Sequence, residues 1–435
     1  MRVTGVICQS GEQACNRLRT VLIDGALRRY CSADMLTVSR ALADADAVDE
    51  SLSRRRDVRD GGAYVITLDA APGAGPLANV PIAIKDLVDV AGTRTRCGSG
   101  VRANAAPASR DAAIVARLRA AGARIVGKTA LVEFAFGATG INEWEGTPRN
   151  PHDRARIPGG SSSGSAVAVA EGSAAAAIGT DTGGSVRIPA ALCGVVGMKP
   201  TFGLVSVDGV FPLAPALDHV GVIAPDVASA RAVLEVLAPL DASLPPRRVG
   251  IDRRALAEST PEVARAIEAA LARWRVTQRD VALPDLDDVA AMTTTLLFYE
   301  AAQIHRATYA RCRDDYGAYM RDRLERAFAY TAAEYAAARE RAREMRDQVE
   351  RAFGDVDVIA GPAVGFTAPT LEEARAPDAS TRLVRFTRLW NAVGFPAISV
   401  PVPATGLPVG VQLAARADGA VLAAAASFER AVATA

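Results

Sequence analysis

Apolar positions recur at helical spacing from about Ala14 to Arg56, where Leu18, Val21 and Leu22, then Leu36, Val38 and Leu42, fall on apolar faces between charged residues. Helices therefore open the chain. A loop rich in Gly, Ala and Pro (Ala70 to Ala78) leads to VPIAIKDLVDV, whose dense Val, Ile and Leu predict a buried strand from Val80 towards Val90. Asp111 to Ala121 has helical periodicity, Arg124 to Val126 is short and β-branched, and Lys128 to Phe136 is again spaced like a helix. Further on, RRVGI (Arg247 to Ile251) predicts a strand, Pro261 to Trp274 an amphipathic helix and VTQRDVAL another strand. A long charged helical region then runs from about Leu296 to Ala352, and DVDVIAGPA and PAISVPV predict late core strands, the second ended by Pro401. Strands alternating with helices, without an internal repeat or a clear linker, predict one large α/β domain whose mixed β-sheet is sandwiched between helices. Within it, residues 1–60 form an N-terminal helical segment packed on the core, and 61–435 the α/β domain itself.

The stretch from Ile157 to Gly203 stands apart, being packed with Gly, Ser, Ala and Thr and almost free of charge. Small residues permit close helix packing and the backbone angles of a preorganised loop. A low-complexity linker shares much of this composition. Against a linker, AVAVAEGSAAAAIG carries enough Ala, Val and Ile for a buried helix followed by a strand.

The chain of 435 residues is half apolar and carries a formal net charge of only +1. It is long enough for one large core or two ordinary ones, and it lacks the basic face of a dedicated nucleic-acid binder. Nearly all of its basic residues are arginine. The only lysines are Lys85, Lys128 and Lys199, which raises the question of whether a group that can lose its proton is needed at those positions, since arginine cannot supply one. Cys8, Cys15, Cys31, Cys97, Cys193 and Cys312 show no CxxC pair and are expected to be reduced thiols of a cytoplasmic protein. The N-terminal residues lack a secretory pattern, and no apolar run approaches the roughly 18 residues of a membrane span. His152, His219 and His305 lie far apart without metal-ligand spacing, so they are read as ordinary polar residues and no metal is expected.

Three motif matches fail on context. GARIVGKT (Gly122 to Thr129) fits the phosphate-loop formula, but its ARIV is strand-like and follows a helix, where a phosphate cradle needs an open loop after a strand. Gly160 to Gly164 fits the G-x-S-x-G elbow, yet the preceding PHDRARIPG is polar and turn-forming where a buried strand is required. No G-x-G-x-x-G opens a helix, which removes a dinucleotide turn.

What remains is Lys85 at the end of an apolar strand together with two glycine-serine loops, GGSSSGS (Gly159 to Ser165) and GTDTGGS (Gly179 to Ser185). Acyl transfer needs a nucleophile, a base neutral near pH 7 and N–H donors aimed at an oxyanion, and these three segments could supply them. A lysine flanked by Pro81 to Ile84 and by Leu87-Val88 can be desolvated, which lowers its pKa. Chemistry alone leaves equally open that Lys85 pairs with a carboxylate such as its neighbour Asp86.

The run from Gly159 to Thr201, GGSSSGSAVAVAEGSAAAAIGTDTGGSVRIPAALCGVVGMKPT, closely resembles the signature of the amidase signature family. The resemblance extends to PIAIKDLVDVAGT upstream, to GTPRNP between, and to DVDVIAGPA, NAVGFPAISVP and GLPVGVQLAAR downstream. It implies an amidase signature fold and a Ser-cisSer-Lys triad, in which Lys85 is the base, Ser161 the bridging serine after a cis Gly160–Ser161 peptide, and Ser185 the nucleophile. It also implies an oxyanion hole from the backbone N–H groups of Thr182, Gly183, Gly184 and Ser185, with Ser162, Asp181 and Arg187 as polar supports. Glycine suits such a nest because convergent N–H groups need a backbone free of Cβ clashes.

The implied activity is hydrolysis of a small-molecule carboxamide, with an ester or urea-like bond as a secondary target, through an acyl-enzyme without metal or organic cofactor. The alternative is a glutamine amidohydrolase subunit of a tRNA-dependent amidotransferase. Val384, where glutamine-using members carry an acidic residue for the substrate's α-amino group, argues against free glutamine. The family's layout lines the acyl pocket with parts of Glu133 to Trp144, Val210 to Asp218, Tyr299 to Tyr335 and Arg382 to Asn391. Neither direct nucleic-acid binding nor membrane attachment is expected, and a homodimer is left open.

Overall fold

A computed structural model describes residues 35–433. Its centre is an 11-stranded sheet in the order β1-β3-β2-β4-β6-β5-β10-β11-β9-β7-β8. The strands are β1 (Tyr64–Thr67), β2 (Pro81–Lys85), β3 (Arg124–Thr129), β4 (Ala176–Asp181), β5 (Val196–Lys199), β6 (His219–Ala224), β7 (Arg248–Ile251), β8 (Thr277–Asp280), β9 (Val358–Pro362), β10 (Ala397–Val402) and β11 (Val409–Ala414). β2 runs parallel to both β3 and β4, and β7 parallel to β8 and β9. The remaining pairings, from β4 through β6, β5, β10 and β11 to β9, are antiparallel, as is β1 with β3. The sheet is thus mixed, as expected, and the chain folds as a single α/β domain.

Every residue of β2, β4 and β6 is buried, which explains the apolar runs PIAI, AAIG and VGVIA within them: a strand covered on both faces has no solvent side to mark with polar residues. One cover is made by α1 (Val38–Ala43), α3 (Ala113–Ala120) and α6 (Val227–Leu237), with α8 (Pro261–Arg273) and the C-terminal α14 (Asp418–Ala433) towards β9, β10 and β11. Of the N-terminal helical stretch, α1 and α2 (Ala45–Ser53) are described, and the Val38 amide donates to Ser229 Oγ of α6 at 3.0 Å. The residues before Met35, including Leu18, Val21, Leu22, Cys8, Cys15 and Cys31, lie outside the described part.

The opposite cover is built from α4 (Ser163–Ala170) and α5 (Arg187–Cys193), buried on nearly every side. A helix hydrophobic all round belongs in an interior, and its small side chains let it approach closely. At Gly164 a Cβ would sit 2.6 Å from the Ala130 amide nitrogen. The short helices α7 (Arg253–Ala257) and α12 (Ala379–Leu383) fall between the longer ones along the chain.

Four sequence expectations need correction. The strand begun at Val80 stops at Lys85, because the chain turns there, with the Leu87 and Val88 amides both donating to the Lys85 carbonyl. Lys128 to Phe136 is not helical. Its first two residues end β3, and only a 3₁₀ turn at Glu133–Ala135 follows, broken by positive φ at Phe134 and Ala135. The charged region is three helices, α9 (Leu286–Cys312), α10 (Ala318–Ala327) and α11 (Ala332–Phe353), the last opened by a Thr331–Glu334 capping box. Pro401 does not end β10. It pairs with Gly410, and the strand runs on to Val402.

Candidate active site

Lys85 closes β2 fully buried. Its Nζ lies 2.7 Å from Ser161 Oγ and donates to Thr180 Oγ1 in β4 at 2.8 Å. The neighbouring carboxylate does not pair with it. Asp86 faces Lys128 of β3, with Nζ 2.6 Å from its Oδ1, so the alternative in which Asp86 neutralises Lys85 does not hold. Burial pulls the Lys85 ammonium down to about 7, against the smaller opposing pull of the Asp181 and Asp218 charges. A lowered value is what a proton-accepting role requires.

Ser161 sits in the turn before α4, is fully buried, and follows a cis Gly160–Ser161 peptide. Ser185 lies just past β4, 24 residues on. The Ser162 amide donates to the Ser185 carbonyl at 3.2 Å, which ties the two serine loops together. Ser185 keeps 6 % exposure where Ser161 has none, so of the two it is the one a substrate can approach.

The loop from Thr182 to Ser185 is held from below by a buried ion pair. Asp181 accepts from the amides of Gly184 (2.8 Å), Val186 (3.1 Å) and Arg187 (3.4 Å). The Arg187 guanidinium meets the same carboxylate through Nε at 3.0 Å and Nη2 at 2.8 Å. Burial alone would raise the Asp181 carboxyl, but the Arg187 charge and hydrogen bonds, with Asn391, outweigh it and hold the group well below the usual carboxylate range. Arg187 Nη1 donates to the Thr387 carbonyl (2.9 Å) and Gln412 Oε1 (2.6 Å), and Nη2 donates also to Asn391 Oδ1 (2.7 Å).

Of the four amides expected to face an oxyanion, that of Gly184 is thus occupied by Asp181. Those of Thr182, Gly183 and Ser185 carry no hydrogen bond among the described residues. Gly184 has φ +128°, and a Cβ there would run into the Thr387 side chain. Thr387 Oγ1 donates to the Gly183 carbonyl at 2.6 Å, and Thr182 Oγ1 to Asp218 Oδ1 at 2.6 Å.

The sequence-predicted residues Lys85, Ser161, Ser185, Asp181 and Arg187 therefore cluster at one place. Ser162 and Ser163 turn inward, Ser162 bonding the Thr180 backbone and Ser163 the Ala130 carbonyl. Val384 stands beside the loop, its Cγ1 4.0 Å from where a Cβ on Gly183 would lie. Sequence reasoning missed Thr180, Thr387, Asn391 and Gln412 as individuals. The last three lie in downstream segments that carry the family resemblance or line its pocket, but nothing local marks them as partners of Arg187.

The histidines make structural contacts, His152 with the Cys193 carbonyl, His219 with the Leu217 carbonyl and His305 with Tyr316. No group of metal-ligating side chains occurs among the described residues, and none of their helices is long and apolar enough to cross a membrane.

Buried serines beside a buried lysine, under a glycine loop on a mixed α/β sheet, are the setting of a hydrolase site. The family model described as Amidase matches residues 63–420, and the chain belongs to that amidase signature family. It is 34% identical to a glutamyl-tRNA(Gln) amidotransferase subunit of Koribacter versatilis, over 88% of this chain and 94% of that one. It is 36% identical to the putative amidase AmiD of Mycobacterium bovis, over 91% of this chain and 84% of that one. Among solved structures, the corresponding glutamyl-tRNA(Gln) amidotransferase subunit of Thermotoga maritima superposes with a TM-score of 0.82 at 30% identity, covering 91% of this chain and 94% of that one. The protein is accordingly an amidase, a hydrolase of linear carbon–nitrogen bonds.

Proposed function

We propose that the protein cleaves a small carboxamide through an acyl-enzyme on Ser185, with Ser161 and Lys85 as a proton relay. The observation that carries this reading is the 2.7 Å approach of Lys85 Nζ to Ser161 Oγ, with no carboxylate among the described residues paired to the lysine. Neutral Lys85 takes the proton of Ser161 while Ser161 takes that of Ser185, whose oxygen attacks the carbonyl carbon. The oxyanion is met by the free amides of Thr182, Gly183 and Ser185, a donor of this kind contributing roughly 3–4 kcal/mol in comparable sites. The relay then returns a proton to the departing nitrogen, and water releases the acid from Ser185. Asp181 and Arg187 hold the loop from below and touch no reacting atom. The same acyl-enzyme would serve esters and urea-like compounds. The setting we propose is the cytoplasm, in keeping with the unpaired thiols of Cys97, Cys193 and Cys312.

The test is active-site labelling. A fluorophosphonate should modify Ser185 and leave a Ser185→Ala variant untouched, and Ser185→Ala or Lys85→Ala should lower kcat on the order of 10⁴-fold or more. Turnover that survives Ser185→Ala would remove the nucleophile from the proposal. A second reading, a glutamine-hydrolysing component of a larger amidotransferase, is favoured by the names of the Koribacter and Thermotoga relatives. Against it stands Val384, an apolar wall where a glutamine ammonium would need an acid.

A further inference from the structure

Asp218 borders the nucleophile loop, and among the described residues no cation pairs with it. β4 and β6 end with Asp181 opposite His219, and one residue beyond the ladder the pairing goes on through side chains, where Thr182 Oγ1 donates to Asp218 Oδ1 at 2.6 Å. Asp218 Oδ2 accepts from the amides of Leu213 (2.9 Å) and Ala214 (3.0 Å), and the Ala214 carbonyl accepts in turn from the Leu217 and Asp218 amides. Both oxygens accept, which is the pattern of an ionised carboxylate. Burial raises the pKa of the group, and these three donors oppose it. The basic groups nearby are committed elsewhere, Lys128 to Asp86 and Arg187 to Asp181.

The segment from Val210 to Asp218 joins two parts of the mechanism. At its start the Phe211 amide donates to the Leu87 carbonyl at 2.8 Å and Val210 bridges Val88, in the turn that follows Lys85. At its end Asp218 holds Thr182, and Thr180, two residues before Thr182, meets Lys85 Nζ. Between them the Ala216 amide donates to Glu300 Oε2 of α9 at 2.9 Å, and the Tyr335 hydroxyl of α11 donates to the other oxygen of the same carboxylate.

Two acids favour the ammonium form of Lys85, first Asp181 and then Asp218. Asp181 is already answered by the Arg187 guanidinium and by Asn391 of α13 (Arg388–Ala392). Cys97, the third group acting on Lys85, is a thiol whose pKa burial raises, so it carries no charge near neutral pH. Glu300, the acid that acts on Asp218, only adds negative charge. A carboxylate held away from water without a cation is costly. The cation arrives when Lys85 takes up a proton. An acid beside a catalytic base stabilises the cation formed there without taking the proton itself.

We propose that Asp218 is a positioning residue of the reaction, which holds the Thr182 end of the oxyanion loop in place and supplies the counter-charge for the ammonium that forms on Lys85. This rests on the reading of Ser185 as nucleophile and Lys85 as base. As Ser185 Oγ bonds to the carbonyl carbon, its proton passes to Ser161 Oγ and the proton of Ser161 passes to Lys85 Nζ. Two charges appear, an ammonium at Lys85 and an oxyanion on the substrate. The first is met by the Asp218 carboxylate, the second by the Thr182 amide that Asp218 holds in place.

The experiment follows the rate of fluorophosphonate labelling of Ser185 against pH, which draws on the same base and loop amides whatever the natural amide is. Asp218→Asn keeps the shape and a hydrogen bond to Thr182 but removes the charge. The plateau rate should fall about tenfold or more. A carboxylate raises the pKa of an ammonium it faces, so its loss should move the acid limb to lower pH, by about 0.5 or more. Either change without the other, or neither, overturns the proposal. Should that variant fail to fold, Thr182 decides: Thr182→Ser keeps the hydroxyl and should label within about threefold of wild type, whereas Thr182→Val should be slower by about tenfold or more. Equal rates for these two overturn it. Labelling at Ser185 with every variant matching wild type defeats the Asp218 assignment alone, whereas no labelling of Ser185 in the wild-type protein removes the hydrolase mechanism and this inference with it.

Discussion

Lysine is nearly absent from this chain, and all three lysines are fully buried. Each has a different fate. Lys128 is neutralised by Asp86, and Lys199 donates to the carbonyls of Pro200 and Phe395. Among the described residues Lys85 meets only the hydroxyls of Ser161 and Thr180, and burial pulls its pKa down to about 7. The sign of the resulting pH dependence follows from the role. Below that value the ammonium holds its proton and cannot accept another, so kcat/KM should fall about tenfold per pH unit on the acid side and level off above it. A pH–rate profile flat through this range would rule out the lysine as base. The scarcity of lysine was legible from composition, and so was the candidacy of Lys85. Its freedom from Asp86 was not, because the chain turns at Lys85 and the partner of each side chain is chosen by what packs there.

At the scale of elements, the glycine loop and α5 form one unit strung on Asp181. Replacing that carboxylate with alanine strands a buried guanidinium, and Asp181→Ala should cost about 3–5 kcal/mol in urea unfolding. Gly184→Ala asks an L-residue to adopt φ +128° with its Cβ against Thr387. We expect a loss of roughly 1–3 kcal/mol in the same measurement, together with a sharp drop in turnover as the loop shifts. A helix long enough to show its period, such as α8, was predicted almost to the residue. Lys128 to Phe136 was misread because its apolar spacing is that of a wall packed on Ser161 and Cys97, where the Phe134 amide donates to the Cys97 carbonyl and the backbone visits positive φ. Short apolar runs carry no period that separates helix from such a turn.

For the molecule as a whole, the mechanism proposed above, whose lysine, serines and loop amides all come from one chain, predicts activity without a partner. Purified protein should release ammonia from a simple carboxamide with no second protein added, as a coupled ammonia assay would show, and strict dependence on such a partner would favour the amidotransferase reading. Cys97 and Cys193 are buried, and burial raises both thiols above their ordinary pKa. They should resist thiol reagents until the protein unfolds.

Sequence alone determined the α/β class, the two glycine-serine loops and the types of reactive group, because these depend on local period and on short-range chemistry. Tertiary structure decided which charges meet. Arg187 finds Asn391, 204 residues away, and Gln412, 225 away, and Asp86 turns to Lys128. Burial and pairing together set a charge's energy, and both are properties of the whole packed core.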